Sequence, residues 1–477
     1  MKKKTLLSAW LKPGIAVLIP LLIVLMPASW LHIPGITPVE QRVLALFLLA
    51  ALFWILEPIP IFATSVLIIV LELIMISDAG LGLLRYDSSG AELSNLLDYR
   101  DIMGTFASPV ILLFLGGFFL AMAAVKFRLD QSLAGVLLKP FGTKPHLLLL
   151  GLMIITAVFS MFMSNTATTA MMLSVLAPVL PFLDPGDKGR AAFLLGVPFA
   201  ANIGGIGTPI GTPPNAIALK YLTGEDTIGF GQWMGFGVPF VLVLLFVTWL
   251  LLTFLFPFST TKLDLKFKVK FLRSPKAWVV YGGFFITLLL WLTDFVHGMN
   301  SYVVAMIPVA LFLTFGIIGK EDLKTISWDV LWLVAGGIAL GMAMDKTGLA
   351  SRLVSLIPFA HWSAWAVLFV AAFVGLIMAN FMSHTGTANL LLPVIAALSA
   401  SGIEMGAVGG SAGLLLGVTM CVSLGMSMPI SSPPNALVHA GGQINTGDMA
   451  KAGVGVGILG FVLVMATIFI LSAIGFF

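Results

Sequence analysis

The sequence predicts an all-α polytopic membrane protein: about 11 transmembrane helices plus two re-entrant hairpins, arranged as an inverted repeat. Three observations carry this. The 477 residues are 59% hydrophobic and only 10% charged, where soluble domains carry roughly 25% charged residues. Apolar runs of about 20 residues, the length that spans a bilayer, recur down the chain. The same polar motifs also return at one fixed offset. A soluble core cannot absorb so much apolar surface. A membrane β-barrel would instead show strands of about 10 residues with alternating polarity.

The opening "MKKKTLLSAWLKPGIAVLIPLLIVLMP" resembles a signal peptide, but no small-residue cleavage site follows its apolar core cleanly. It reads as a retained first span with a basic cytoplasmic end. Spans are expected at 14–31, 41–57, 60–78, 108–126, 191–222, 230–256, 278–293, 302–318, 329–346, 411–441 and 452–475. Two further apolar segments, 147–183 and 364–399, are too long for one simple helix. Each is interrupted near its centre by a polar cluster, so each reads as a hairpin that enters the membrane and returns.

Loop charges set the orientation. Segment 127–146 carries Arg128, Lys139 and Lys144, and segment 257–277 carries Lys262, Lys266, Lys268, Lys270, Arg273 and Lys276. Both fall on the cytoplasmic side if the N-terminus does. Segment 79–107, next to Asp78, holds Asp87, Glu92, Asp98 and Asp101 against Arg85 and Arg100, and falls outside. Eleven spans then leave the C-terminus outside an inner, cell membrane. The net charge of +4 belongs to these loops and gives no reason to expect nucleic acid. The single cysteine, Cys421, rules out an internal disulfide or a thiol metal cluster.

The repeat is read from paired positions. Gly116, Gly117, Leu120, Met122, Ala123, Lys126 and Leu129 match Gly336, Gly337, Leu340, Met342, Ala343, Lys346 and Leu349, all 220 apart. Ser164 and Thr166 match Ser383 and Thr385, 219 apart. "GTPPNAI" from Gly211 matches "SSPPNAL" from Ser431, again 220 apart. The expected division is a first span outside the repeat (1–39), a first repeat (40–257), a basic cytoplasmic linker (258–277) and a second repeat (278–477). Each repeat holds five spans and one hairpin. An odd number of crossings turns the second copy upside down, the arrangement of secondary transporters with a site at the midplane.

Four polar clusters lie where hydrocarbon is expected: "MSNTATT" (163–169), "MSHTGTAN" (382–389), "NIGGIGTPIGTPPNA" (202–216) and "GMSMPISSPPNA" (425–436). The last two, rich in glycine and proline, cannot form continuous helix. Irregular backbone survives at membrane depth only against protein or a water-filled cavity. A hairpin tip and a broken span are expected to meet in each repeat, making two half-sites. Freed carbonyls with Ser, Thr and Asn oxygens suit a hard monovalent cation. Helix N-termini suit a carboxylate. No Arg or Lys lies in any cluster, so an anion would be held by neutral donors. A single Ser or Thr in a membrane helix commonly serves packing; four clusters at one offset ask for a further reason.

His384 stands where the first repeat has Asn165. An ionisable residue inside the membrane is a functional candidate. Protonated, it would substitute for a cation; neutral, it is a poorer sodium ligand than an amide oxygen. The plain alternative is a neutral histidine bonded to a carbonyl. Lys126 and Lys346, at span ends, are expected to snorkel. Glu57 and His439 are expected at span boundaries.

"SNTATTAMM", "SHTGTANLLLPV", "GTPPNAI" and "SSPPNAL" resemble the paired motifs of the divalent anion/sodium symporter family, which includes the dicarboxylate and citrate transporters. The likeness runs from about Glu40 to the C-terminus. It implies a homodimer whose transport part moves as an elevator, with a small carboxylate as substrate and at least one Na+. It implies substrate contacts at Ser164, Asn165, Thr166, Thr212, Pro213, Ser383, His384, Thr385, Ser432 and Pro433. A first sodium site would use Ser160, Ser164, Asn165 and Gly211. The matching second site, Ala379, Ser383, His384 and Ser431, departs from the pattern: Ala379 lacks the hydroxyl of Ser160, and His384 replaces an asparagine.

The implied activity is sodium-coupled uptake of C4-dicarboxylates such as succinate, malate or fumarate. Its alternatives are a sodium-independent dicarboxylate exchanger, or tricarboxylate or sulfate as substrate. A channel would need a continuous polar lining and charged rings, and the sequence has neither. An intramembrane hydrolase would need an acidic residue to orient His384 beside Ser164, and none lies in the clusters, so no enzyme is expected.

Overall fold

The structure is a computed structural model that describes residues 6–87, 89–177, 179–183, 186–263, 271–356, 362–399 and 404–477. The N-terminal Lys2, Lys3 and Lys4, and Lys266, Lys268 and Lys270 of the basic linker, lie outside the described residues. The described chain is helical apart from two isolated bridges, Ser77 to Leu97 and Tyr86 to Glu92.

The chain opens with α1 (Leu6–Leu25), α2 (Pro38–Leu56), α3 (Ile61–Met75), α4 (Pro109–Lys126) and α5 (Leu129–Leu138). A helix pair, α6 (Pro145–Ser160) and α7 (Asn165–Leu176), is followed by α8 (Gly189–Gly205), α9 (Pro213–Leu219) and α10 (Phe230–Leu255). Then come α11 (Pro275–Leu292), α12 (Ser301–Thr314), α13 (Trp328–Lys346) and α14 (Leu349–Ser355). A second pair, α15 (Ala364–Phe381) and α16 (His384–Ser399), precedes α17 (Gly410–Val422), α18 (Pro433–Ala440) and α19 (Thr446–Ala473). Among the described residues, 7 helices are long and apolar enough to cross a membrane, and five shorter apolar helices accompany them. The chain is a multi-pass membrane protein. Phe246, Phe254, Phe285, Val462 and Phe469 stand at least half exposed on α10, α11 and α19, an apolar surface that belongs in lipid.

Several expected spans take a different form. Segments 191–222 and 411–441 are each two helices, α8 with α9 and α17 with α18, parted at 206–212 and 423–432. The first span ends at Leu25, and a short 3-10 turn, Ala28–Leu31, replaces its last residues. The segment 127–146, read as a loop from its charges, contains α5, with Leu129, Ala134 and Leu138 buried. Lys126 and Lys346 do more than snorkel: their ammonium groups bond Asp322 at 2.6 Å and Asp101 at 2.5 Å.

Glycine decides how closely the helices pack. A Cβ on Gly116 would fall 2.2 Å from the Ala305 carbonyl oxygen, seating α4 on α12. One on Gly336 would fall 2.4 Å from Ser65 Cβ, seating α13 on α3. Small residues at such crossings replace the missing hydrophobic drive between helices in lipid.

The start of α8 is fixed by Asp187, which is buried. Its carboxylate accepts from Gly189 N at 2.8 Å, Thr260 N at 3.0 Å and Thr260 Oγ1 at 2.9 Å. Burial opposes the charge, but these hydrogen bonds prevail and hold the carboxyl down at about 2. Its unfolded value is about 3.9, so the stabilisation is complete above that pH and is lost as pH falls toward 2. Asp187→Ala is expected to cost about 2 kcal/mol, the range for hydrogen bonds to a charged group. Thermal melts in detergent check this: the gap between wild type and variant should close below about pH 4. A gap that persists unchanged at acid pH contradicts it.

Candidate binding site

The two helix breaks are built by the same device. Pro213–Pro214 and Pro433–Pro434 open α9 and α18, where a missing N–H costs nothing. The asparagine that follows turns back to satisfy the carbonyls that the break frees. Asn215 Nδ2 donates to Gly205 O at 3.1 Å and Thr208 O at 2.8 Å. Asn435 Nδ2 donates to Met426 O at 2.9 Å and Met428 O at 3.2 Å. Trp233 Nε1 donates to Ile206 O at 3.0 Å, and the Thr208 hydroxyl closes the Met161 carbonyl. Irregular backbone is thus sustained inside protein, as a buried break requires.

The two breaks also cross. Asn202 of α8 donates from Nδ2 to Ser432 Oγ at 2.9 Å, and α9 packs on α16 and α17. The clusters therefore meet around one cavity of about 290 Å3, at the small end of the roughly 300–1,000 Å3 typical of ligand sites. Ser164, Asn165, Thr166, Thr212, Pro213, Ser383, His384, Thr385, Ser432 and Pro433 all line it, as does Gly211. Ser160, Ala379 and Ser431 stand behind the lining.

Two helices present their amino ends here. α7 begins at Asn165, and its first helical bond runs from Thr168 N to Ser164 O. α16 begins at His384, with Thr387 N bonded to Ser383 O and Gly386 N capped by Ser383 Oγ at 3.0 Å. The early amides and the positive dipole ends of α7 and α16 favour an anion. The Ser164 and Thr212 hydroxyls make no capping bonds. Phe62, Phe114, Phe118 and Phe162 complete an apolar wall, and the exposed Asp329 stands at the mouth. A second cavity of about 270 Å3 shares Phe118, Met163 and Ser164 with the first and leads to the Lys126–Asp322 pair.

Behind the first tip lies a set of neutral oxygens. Ser160 Oγ is 2.6 Å from Asn165 Oδ1 and 2.7 Å from Ala201 O. A Cβ on Gly205 would fall 2.9 Å from Asn165 Oδ1 and 2.9 Å from Gly211 O, so the absent side chain leaves a cradle among them. Hydroxyl, amide and carbonyl oxygens are the donor set of a hard cation, and these residues fit sodium.

The second tip is built differently. His384 is buried, and its Nε2 bonds Gly425 O at 2.5 Å. A carbonyl only accepts, so Nε2 carries the proton. Ser431 Oγ donates to Met428 O at 2.6 Å. Asn380 accepts from Ser427 N at 2.9 Å and from the Ser427 hydroxyl. The hydroxyls around this tip are bonded within the protein, and Ala379 brings only its carbonyl, 2.7 Å from where a Cβ on Gly425 would fall, and no side-chain oxygen. They do not form a cradle like that at Gly205.

The lining adds Asn202, which opens one of the four polar clusters but was not among the expected contacts, and Asp329, which was not named from the sequence. Asn202 was signalled by an amide inside an otherwise apolar run, and Asp329 by an acid at the start of a span.

A model of the citrate transporter family matches residues 51–410 of the chain. The sodium-dependent dicarboxylate transporter SdcS of Staphylococcus saprophyticus is 31% identical over 468 residues, covering 90% of this chain and 85% of that one. The inorganic phosphate transporter PHO87 of Saccharomyces cerevisiae is 29% identical over 90% of this chain. The chain spans about half the length of such fungal relatives, 46% in the case of PHO87. The solved structure of the Neisseria gonorrhoeae efflux pump MtrF is similar in fold, with a TM-score of 0.51 at 13% identity over 88% of this chain and 96% of that one.

Proposed function

We propose a function from this premise: the chain belongs to the citrate transporter family. Within it, we read the chain as a secondary transporter of C4-dicarboxylates, coupled to sodium. The observation that carries this is the small cavity on which two polar helix tips and two broken helices converge.

The cavity suits a short dianion. One carboxylate meets the start of α7, with Ser164, Asn165 and Thr166 donating. The other meets the start of α16, with Ser383 and Thr385 donating. Thr212 and Ser432 flank the anion, and Pro213 and Pro433 shape the walls. The phenylalanines cover the methylene carbons. Among the described residues no lysine or arginine lines the cavity, so substrate is held by neutral donors and released readily. Sodium bound by Ser160, Asn165 and Gly211, with Ser164 beside them, supplies a positive charge that offsets the dianion and the carboxylate of Asp329. The proposal extends to an inverted repeat of 40–257 and 278–477, an elevator movement of the hairpins and broken helices, and a homodimer. It also places the protein in the inner membrane with the N-terminus in the cytoplasm.

A second reading, a sodium-independent dicarboxylate exchanger, draws on His384, which occupies a carbonyl at the tip where a second cation would need oxygens. Sulfate and inorganic phosphate are further candidates, the latter through the similarity to PHO87. Competition separates them. Proteoliposomes loaded with succinate take up labelled succinate by counterflow, and unlabelled malate, fumarate, citrate, sulfate or phosphate is added outside. Malate and fumarate should inhibit at concentrations near that of succinate, and sulfate and phosphate only at far higher ones. Stronger inhibition by phosphate or sulfate than by malate overturns the substrate class.

A further inference from the structure

A second buried polar cluster lies away from the cavity, where α3, α9 and α13 meet. Glu72 of α3 is fully buried, and neither of its carboxylate oxygens has a hydrogen-bond partner among the described residues. Lys220, directly after α9, is the cation that acts on it. The Lys220 ammonium is engaged elsewhere: it donates to Ile338 O of α13 at 2.5 Å and lies 5.1 Å from the Tyr221 ring centre. The buried Tyr221 hydroxyl has no partner among the described residues. Both side chains fit because position 341 is glycine, where a Cβ would lie 2.0 Å from Tyr221 Oη and 3.1 Å from Lys220 Nζ.

The other charges on the surrounding elements are committed or exposed. On α13, Asp345 is exposed and Lys346 pairs with Asp101 at 2.5 Å. On α2, Arg42 donates to Met75 O at 3.0 Å and Leu84 O at 2.5 Å, and Glu40 pairs with Arg352 at 2.8 Å. Glu57 caps the far end of α2. Asp98 and Arg100 lie in the exposed segment before α4. Asp329 is at the opposite end of α13, at the cavity mouth. Lys220 is the cation left to answer Glu72, and the carboxylate of Asp345 also bears on Lys220 and on Tyr221.

An ionised carboxylate buried without hydrogen bonds costs several kcal/mol, far more than the neutral acid. Glu72 therefore rests protonated while Lys220 holds the Ile338 carbonyl. It can ionise only if Lys220 turns to it. Lys220 rides on the end of α9, a helix of 7 residues whose first residue, Pro213, lines the cavity. Cavity and ammonium are thus joined by one short helix.

We propose that Glu72, buried at the α3–α9–α13 junction that holds Lys220, is a proton-binding site that couples transport to the proton gradient. The carboxyl binds a proton when Lys220 is on Ile338 and releases it when a shift of α9 brings the ammonium across. This extends the transport reading given above and rests on it for the substrate, but the site itself is testable without one.

Infrared spectra of the purified protein at neutral pH should show the absorption of a protonated carboxyl that is missing from Glu72→Gln. A wild-type spectrum without that absorption overturns the site, whether or not the variant folds. In proteoliposomes with an entrapped pH-sensitive dye, wild-type succinate entry should acidify the lumen. An inward gradient of one pH unit should raise succinate accumulation about tenfold for one proton per cycle, and Glu72→Gln should lose that response. Succinate entry with no proton movement refutes the coupling. If succinate fails to enter while the carboxyl absorption is present, the dicarboxylate reading falls and the proton site stands.

Discussion

Asn165→Ala abolishes uptake while the protein still folds. Asn165 opens α7, lines the cavity, and places its Oδ1 2.6 Å from Ser160 Oγ. In the proposed site it both donates to a substrate carboxylate and ligates sodium. Two lost interactions of about 1.5–3 kcal/mol each lower uptake by at least about 100-fold, at tenfold per 1.4 kcal/mol. Folding tolerates the change because Ser160 keeps its 2.7 Å bond to Ala201 O, and the break keeps the bonds from Asn215 and Trp233. The check is initial uptake of labelled succinate alongside size-exclusion elution and melting in detergent. Normal uptake by a folded variant removes Asn165 from the site.

His384→Asn strengthens the response to sodium. The histidine bonds Gly425 O through Nε2, and so engages a carbonyl of the break where the first half-site keeps its cradle. An asparagine there presents an oxygen, as Asn165 does at the first tip. Ala379 still supplies no hydroxyl, so the single change recovers part of a second site, and Ala379→Ser with His384→Asn recovers more. The sodium dependence of uptake should steepen, its Hill coefficient moving from about 1 toward about 2, the limit set by two sites. A response identical to that of the wild type means that His384 is structural, holding the broken helix by one hydrogen bond.

Much of the site was legible because its residues break rules that the rest of the chain keeps. Proline pairs, glycine runs and hydroxyl clusters do not belong in hydrocarbon, so their positions marked where α8 and α17 stop and where α7 and α16 begin. The fixed offset indicated which clusters correspond. Other features left no such mark. The amphipathic α5 was hidden by Arg128 and Asp130, whose charges look like loop. Asp101 and Asp322 gave no sign that they would meet Lys346 and Lys126, because ion pairs 245 and 196 residues apart depend on how helices pack. Glu72 sits in a run, "VLIIVLELIM", that reads as an ordinary span. Its importance comes from Lys220, 148 positions away in the sequence. Periodicity reports which face is apolar and says little about which distant helix covers it.

The most direct test of sodium-coupled dicarboxylate transport is labelled succinate uptake into proteoliposomes, empty or preloaded with unlabelled succinate, with and without an inward sodium gradient. The account predicts accumulation in empty vesicles only when the sodium gradient is present. Uptake confined to preloaded vesicles and indifferent to sodium contradicts it and makes the protein an exchanger.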